Sequence, residues 1–567
     1  MNELTTLDPD SLEHLNLQIV GDQCRIVWPN SVNIFHMTVG KHLDVGSREK
    51  PAMVFEEADG TVSTMTFAEV DNASTNLAIT LKKLGYGRGD LIGLHTGQHP
   101  DTAVAHMAVC KLGAVAVTLS QLYGPQSLKH AINDCQLKVL LTSEDAWSAL
   151  RADAVDLFPH IEHVLLRNPL AGEIDLAAAT ATDQHTEAES FTPEFGGADD
   201  PALLMYTSGS TGMPKGILHG HRILAAYTPS INLFFNLQME QDDAVYWSPS
   251  DWAWVGGLLD MLFPAWMAGR PIATSLDRFN ADFAYQFMEK HKVTHSFLAP
   301  TAIKRLAQHK TPRQQYDLSL RVICTGGEAL ASETLNWAEN SLGVVCNEFY
   351  GLTEVNHLIG NCAALYPRIP GSMGRAYPGH SVFLVNSEGE EVADGEVGEI
   401  VTLADSPTRF LGYLNNQEQE TNMQLNHYLR TRDLAVRDDD GYFWYKGRSD
   451  DLIKSSGFRI GPAEIEECLL AHGSVADVAI VAKPDADRGS IVKAYVKLRV
   501  GEAQGDAMAD ALCNHVRTQL AAYKAPREVE FVDDFVMTSS GKINRRILRD
   551  AEEKAAKTEG TSSAEGA

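Results

Sequence analysis

The chain has 567 residues, 44% of them apolar, eight scattered cysteines and a formal net charge of -28 at pH 7. That length and apolar share can bury more than one core, while the acidity excludes nucleic acid as a partner and requires any anion-binding cations to be gathered locally. The cysteines form no C-x-x-C, which argues against zinc or a disulfide framework and for a reducing cytoplasm. Met1-Asn2-Glu3-Leu4 has neither the basic nor the apolar region of a signal peptide. Residues 64–67 lead into 68–84, apolar at helical spacing, followed by a strand at 91–94, a helix at 102–112 and a strand at 114–119. The same rhythm returns at 139–142 and 293–299, predicting a largely parallel, helix-covered sheet of the α/β class. Gly85-Tyr86-Gly87-Arg88-Gly89 follows a helix and lacks G-x-G-x-x-G, so it reads as a turn. The most apolar stretch, 252–269, is interrupted by Asp260 and Pro264, so no membrane span is expected.

From Gly371 the texture changes to short strands at 382–385, 398–401 and 442–445 parted by Gly/Asp turns, a β-rich subdomain over about 371–449. This completes a large N-terminal domain of helix-covered mixed or parallel sheets, residues 1–449. A second boundary follows Gly447-Arg448-Ser449-Asp450-Asp451, and 450–555 reads as a small α+β unit. Within it, Gly461-Pro462-Ala463-Glu464 opens a helix, with proline at the first position and acid close behind. Residues 556–567, rich in Ser, Gly and Glu, are expected to be a disordered tail.

One loop dominates the chemistry. Thr207-Ser208-Gly209-Ser210-Thr211-Gly212-Met213-Pro214-Lys215-Gly216 follows an apolar strand at 202–206. Glycines let backbone N–H groups crowd an anion, hydroxyls add donors and the lysine adds a full charge, which suits a polyphosphate. It is not a Walker loop, because Pro214 stands where that motif needs glycine. Four further motifs follow: Thr325-Gly326-Gly327-Glu328 after a strand, Tyr350-Gly351-Leu352-Thr353-Glu354, Asp433 with Arg448 around an aromatic strand, and Ser539-Ser540-Gly541-Lys542-Ile543-Asn544-Arg545. Glu354 is a hard oxygen ligand suited to Mg²⁺, and an aspartate such as Asp433 can accept both hydroxyls of a ribose.

In this order the motifs resemble those of the AMP-forming acyl-CoA synthetases of the adenylate-forming superfamily, over about residues 30–550. The resemblance implies a two-step ligase using ATP, Mg²⁺ and CoA on a small-molecule carboxylic acid, with an oligomer compatible with it. It assigns Thr207, Ser208, Gly209, Ser210, Thr211, Gly212 and Lys215 to the ATP phosphates. Gly327, Glu328, Glu348, Phe349, Tyr350 and Gly351 fall to the adenine side, Thr353 and Glu354 to the metal-bound phosphates, and Asp433, Arg448 and Arg459 to ribose and phosphate. Lys542 is the implied catalytic lysine and Asp450 the hinge of a mobile C-terminal domain. Ser456, Gly457 and Phe458 are the implied pantetheine tunnel, and Arg488, Lys524 and Arg527 the implied contacts to the nucleotide end of CoA. A stand-alone adenylation enzyme serving a carrier protein or another acceptor is the alternative.

For the acid, Gly351 stands where acetyl-CoA synthetases place a pocket-closing tryptophan, so acids of short to medium length, including branched or aromatic ones, are expected. Tyr350, Gly351, Trp252 and Trp254 are the expected acyl wall, with the two tryptophans able to refill the space. Asn356 and His357, polar where apolar residues are common, point to a polar substrate or rim.

Overall fold

The computed structural model describes residues 13–564 except 21–22, 45, 182–189, 208–212, 329, 450, 456–457, 486–487 and 539–542. The first long helix, Phe67–Lys83, starts where Thr66 accepts from the Glu69 amide and the Glu69 carboxylate accepts from the Thr66 amide at 2.7 Å. That reciprocal pair satisfies two donors the helix itself cannot. It packs on Pro100–Leu112, a helix buried along almost its whole length and ended by Gly113 at φ 64°. Between them the ammonium of Lys111, 1% exposed, bonds the Asp71 carboxylate at 2.7 Å and the Thr75 hydroxyl at 2.6 Å. A buried charge is tolerable only when paired in this way.

The elements that build the site are, in chain order, β1 (Pro201–Thr207), β2 (Lys215–Gly220), α1 (Arg222–Phe234), β3 (Val322–Gly326), β4 (Val345–Leu352) and β5 (Asn356–Gly360). After them come β6 (Gly412–Tyr413), β7 (Tyr428–Arg437), β8 (Phe443–Arg448), α2 (Pro462–Leu470) and α3 (Arg545–Ala564).

Two large sheets carry the N-terminal part. One has eight strands in which β1 continues a parallel run through Val115–Thr118, Leu91–His95, Val139–Thr142 and His163–Leu166, with β2 and β6 added antiparallel at its edge. The other has nine strands. Its central run, β4, β3, His295–Phe297, Tyr246–Trp247, Ile272–Ser275 and Pro51–Glu56, is parallel, and β5 closes it antiparallel beside β4. The β-α rhythm of the sequence therefore builds the expected parallel sheets. Antiparallel strands are added where the motifs lie.

A third, antiparallel sheet runs Val382–Val385, Val397–Leu403, β7, with β8 paired to β7. The C-terminal part pairs Val475–Asp485 with Gly489–Leu498, adds Glu528–Phe531 in parallel, and carries α2 and α3. Helix α3 continues to Ala564, across part of the segment whose composition predicts disorder. Ala551-Glu552-Glu553-Lys554-Ala555-Ala556-Lys557 are strong helix formers that carry the helix onward once it has started. All eight cysteines are free thiols. Among the described residues no helix is long and apolar enough to cross a membrane.

Candidate active site

Strands β1 and β2 are the two arms of one hairpin, with Thr207 paired across to Lys215, so they hold the ends of the polyphosphate-like loop in register. Ser208, Gly209, Ser210, Thr211 and Gly212 lie outside the described residues. On the far side of β2 sits β6, with Leu218 opposite Gly412. This brings Tyr413 to Glu354, whose carboxylate accepts the tyrosine hydroxyl at 2.5 Å. Burial pushes the Glu354 carboxyl up from its ordinary value, and Tyr413, Lys215 and Arg448 oppose that shift. Burial also lowers the Lys215 ammonium, with Glu354 pulling it back up and Arg448 adding to the fall. One carboxylate between two cations, all three only partly buried, is suited to a charged ligand.

Arg448 leads to the next group. Its guanidinium lies 3.9 Å from Asp433 on the paired strand β7. The two oxygens of Asp433 accept from Tyr350 at 2.8 Å and Tyr445 at 3.0 Å. Two tyrosine hydroxyls thus orient Asp433. The preceding Arg432 is a non-glycine residue at φ 66°, beside a break in the β7–β8 register. Its amide donates to Glu399 at 3.0 Å, its guanidinium to the Asn422 carbonyl at 2.7 Å, and its carbonyl accepts from the Ser449 amide at 2.7 Å. Backbone strain held by this many contacts re-aims the next side chain, here Asp433.

Strand β4 has two faces. Tyr350 and Leu352 pack toward the β7–β8 side, whereas Phe349 turns into the main core. There its ring meets His357 on β5 at 3.7 Å between centroids. Gly351 pairs with His357 across a register shift, and a Cβ on Gly351 would overlap the Asn356 carbonyl oxygen. This corrects the expectation that Gly351 simply leaves acyl space: the room beside it is filled by the backbone of β5. Trp252 and Trp254 do not form one wall either. Trp252 is 1% exposed in the main core, while Trp254 belongs to the cluster under the β1–β2 hairpin, edge-on to Tyr123 at 5.6 Å.

An AMP-binding enzyme family model matches residues 44–414 and an AMP-binding enzyme C-terminal domain model matches 464–542. The chain belongs to the AMP-binding enzyme family. It is 30% identical over 526 residues to an acetyl-coenzyme A synthetase of Bacillus subtilis, covering 91% of this chain and 90% of that one. An uncharacterized acyl-CoA ligase, YtcI, of the same organism is also 30% identical, covering 89% and 94%. The crystal structure of the anthranilate CoA ligase AuaEII in complex with anthranoyl-AMP superposes with a TM-score of 0.81 at 27% identity, covering 93% of this chain and 99% of that one. These are adenylate-forming acyl-CoA ligases, so the enzyme class follows for this chain.

In this AMP-binding enzyme Gly327 and Glu328 follow β3, the strand beside β4, at its C-terminal end where parallel sheets present ligands. The Glu348 carboxylate accepts from the Leu330 amide at 3.2 Å, and burial, aided by the charge of Glu467 on α2, pushes its pKa up to about 8. Lys542, Asp450, Ser456 and Gly457 lie outside the described residues, as do the side chains of Phe458 and Arg459, whose backbone is a short strand. Lys524 is ion-paired to Glu464 at 2.6 Å, and Arg488 and Arg527 are exposed. Helix α3, which begins three residues after Lys542, is anchored by Arg545 to Glu466 at 2.7 Å and by Arg549 to Asp451 at 2.7 Å. Sequence reasoning missed Tyr413 and Tyr445. Their aromatic contexts, Phe410-Leu411-Gly412-Tyr413 and Tyr442-Phe443-Trp444-Tyr445, were the available signals.

Proposed function

We propose that the chain is an ATP-dependent acid–thiol ligase that converts a carboxylic acid to its acyl-CoA through an acyl-adenylate. The observation that carries this reading is the convergence of Lys215, Glu354, Arg448 and Asp433, from three separated motifs, on one partly exposed charged site. In the first half-reaction a carboxylate oxygen of the acid bonds the α-phosphorus of ATP and pyrophosphate leaves. Thr207, Lys215 and the loop between them hold the phosphates, and Thr353 and Glu354 hold the metal-bound end. Glu354 fits Mg²⁺, a cation that commonly takes one or two carboxylates plus water and phosphate oxygens. No group of three or more metal-ligating side chains occurs among the described residues. The ion supplies charge neutralisation on the phosphates. Asp433 takes the ribose hydroxyls, Arg448 ribose and phosphate oxygens, and Gly327, Glu328, Glu348 and Tyr350 flank the base.

Lys542 neutralises the approaching anions as the carboxylate meets phosphorus. Residues 450–555 then turn about Asp450, withdrawing Lys542 and presenting Ser456, Gly457 and Phe458. The CoA thiol gives its proton to solvent, its sulfur bonds the acyl carbon, and the bond from that carbon to the adenylate oxygen breaks as AMP departs. Arg459 reaches phosphate, while Arg488, Lys524 and Arg527 take the nucleotide end of CoA, Lys524 by exchanging Glu464 for phosphate. Short to medium acids, including compact aromatic ones, remain the proposed substrates. Incubation with ATP, a panel of acids and CoA, following AMP and pyrophosphate, tests this reading. CoA-dependent AMP release is expected, and acid-dependent pyrophosphate with no thioester would leave only the adenylation role.

A further inference from the structure

Behind β4, on the face away from Asp433, three polar side chains from distant elements meet at zero exposure. Tyr227 of α1 donates to Asp260 and lies 2.6 Å from Nε2 of His357 on β5, which is itself 3.3 Å from Asp260. Asp260 stands in the π-helical turn Leu258–Leu262, an irregularity often kept at functional sites. The surroundings are aromatic: Phe349, Phe234 and Tyr377 lie 3.7, 5.0 and 6.1 Å from the His357 ring. Desolvation lowers the His357 pKa from its ordinary value, with the charge and hydrogen bond of Asp260 opposing.

The cluster is not self-sufficient. The second oxygen of Asp260 and Nδ1 of His357 are buried without a hydrogen-bond partner. A buried polar atom left unpaired is costly, so two in one cluster call for an explanation. Burial also exceeds nine-tenths for each of Tyr227, Asp260 and His357. The cluster adjoins the strand whose opposite face carries Tyr350 toward Asp433, the ribose end of the site. The aromatic surround suits a compact hydrocarbon body, and the unpaired polar atoms suit one polar substituent on it.

We propose that Tyr227, Asp260 and His357 form the specificity end of the acyl site and select compact acids bearing a hydrogen-bond donor, an amino or hydroxyl group, remote from the carboxylate. This rests on the adenylating reading above. The Asp260 oxygen accepts from the substituent, and His357, held by Tyr227, sets the distance at which it is read. The acid enters by displacing the Phe349 ring, which now covers His357. A site built around a substrate donor rejects the analogue that lacks it, because its own polar atoms are then left unpaired.

The test is acid-dependent pyrophosphate exchange with matched pairs: 4-hydroxybenzoate against 4-methylbenzoate, 2-aminobenzoate against 2-methylbenzoate, and 6-hydroxyhexanoate against heptanoate. The wild-type enzyme should favour the donor-bearing member of at least one pair by tenfold or more in kcat/KM. Asp260→Asn and Tyr227→Phe should collapse that ratio to within about threefold, mainly by losing the donor-bearing acid, while thermal melting confirms a folded chain. Equal use of both members of every pair by the wild type overturns the proposal without needing any variant. A parallel loss for both members in the folded variants overturns it as well. If no acid of the panel supports exchange, the adenylating reading fails and this one with it; exchange without preference sinks this one alone.

Discussion

The two faces of β4 are built differently. On one, Tyr350 reaches Asp433 beside Arg448, and the partners are polar groups. On the other, Phe349 and His357 sit in a dry aromatic core whose polar members come from residues 227, 260 and 357. Phosphate, ribose and metal demand the same oxygen and nitrogen donors whatever the acid, so that face is assembled from short contiguous motifs. An acyl group is read by shape and by one or two polar atoms, and this chain supplies them from positions 130 residues apart. On the proposed reading the first face is common machinery and the second is particular to the substrate.

The largest effect that would sharpen this contrast is at Lys542. Lys542→Ala should lower adenylation by about 3–4 kcal/mol, a few hundredfold in rate. Thioester formation from a supplied acyl-adenylate should survive, and a similar loss in both half-reactions would mean the lysine serves more than the first. The loss should also be the same for every acid, since the carboxylate and α-phosphate that Lys542 is proposed to neutralise are common to all of them. Next comes Asp433→Asn, which keeps the shape but weakens the acceptor held by two tyrosines. A tenfold to hundredfold rise in KM for ATP, with relative preference among acids unchanged, is expected from losing one charged hydrogen-bond partner. A shift in acid preference would show the two faces to be coupled through Tyr350.

The same contrast explains what was legible in the sequence. The parallel sheets follow from apolar runs spaced by helices, and the Thr207–Lys215 loop and Glu354 could be found because their chemistry is local. Tyr413 escaped because its role depends on β6 pairing with β2, a contact between residues 413 and 217. Asp260 was read only as an interruption of an apolar stretch, since nothing local says that Tyr227 and His357 will meet it. Gly351 was misread as open space for a like reason: its Cβ direction is filled by a carbonyl five residues on, visible only once the register shift between Tyr350 and Gly351 is known.

That correction changes what substitution there should do. Gly351→Trp, which would install the residue acetyl-CoA synthetases place there, must first push β5 away from β4. Even Gly351→Ala should destabilise by about 1–3 kcal/mol, as overpacking of a tight core does. Thermal melting of the alanine variant measures this directly. A variant as stable as wild type, with preference moved toward acetate, would restore the open-pocket reading.

The smallest effect concerns Glu348, which shares the Tyr350 face of β4 and takes its charge environment from Glu467 on α2. Its pKa in the folded chain is about 8 against an ordinary value of 4.5, chiefly through burial, with Glu467 adding and the Leu330 amide opposing. The protonated form is therefore favoured by folding. Its contribution is fully present below about pH 4.5, and is lost as pH rises through about 8, because the unfolded carboxyl ionises first and the folded one must follow at a cost. Glu348→Gln removes the ionisation, so the melting temperatures of variant and wild type should diverge across that window in favour of the variant. Glu467→Gln should reduce the divergence without abolishing it, since burial is the larger cause. If Glu348→Gln melts in parallel with wild type from pH 5 to 8, the carboxylate is solvated in solution, and β4 and α2 are less closely packed there than in this structure.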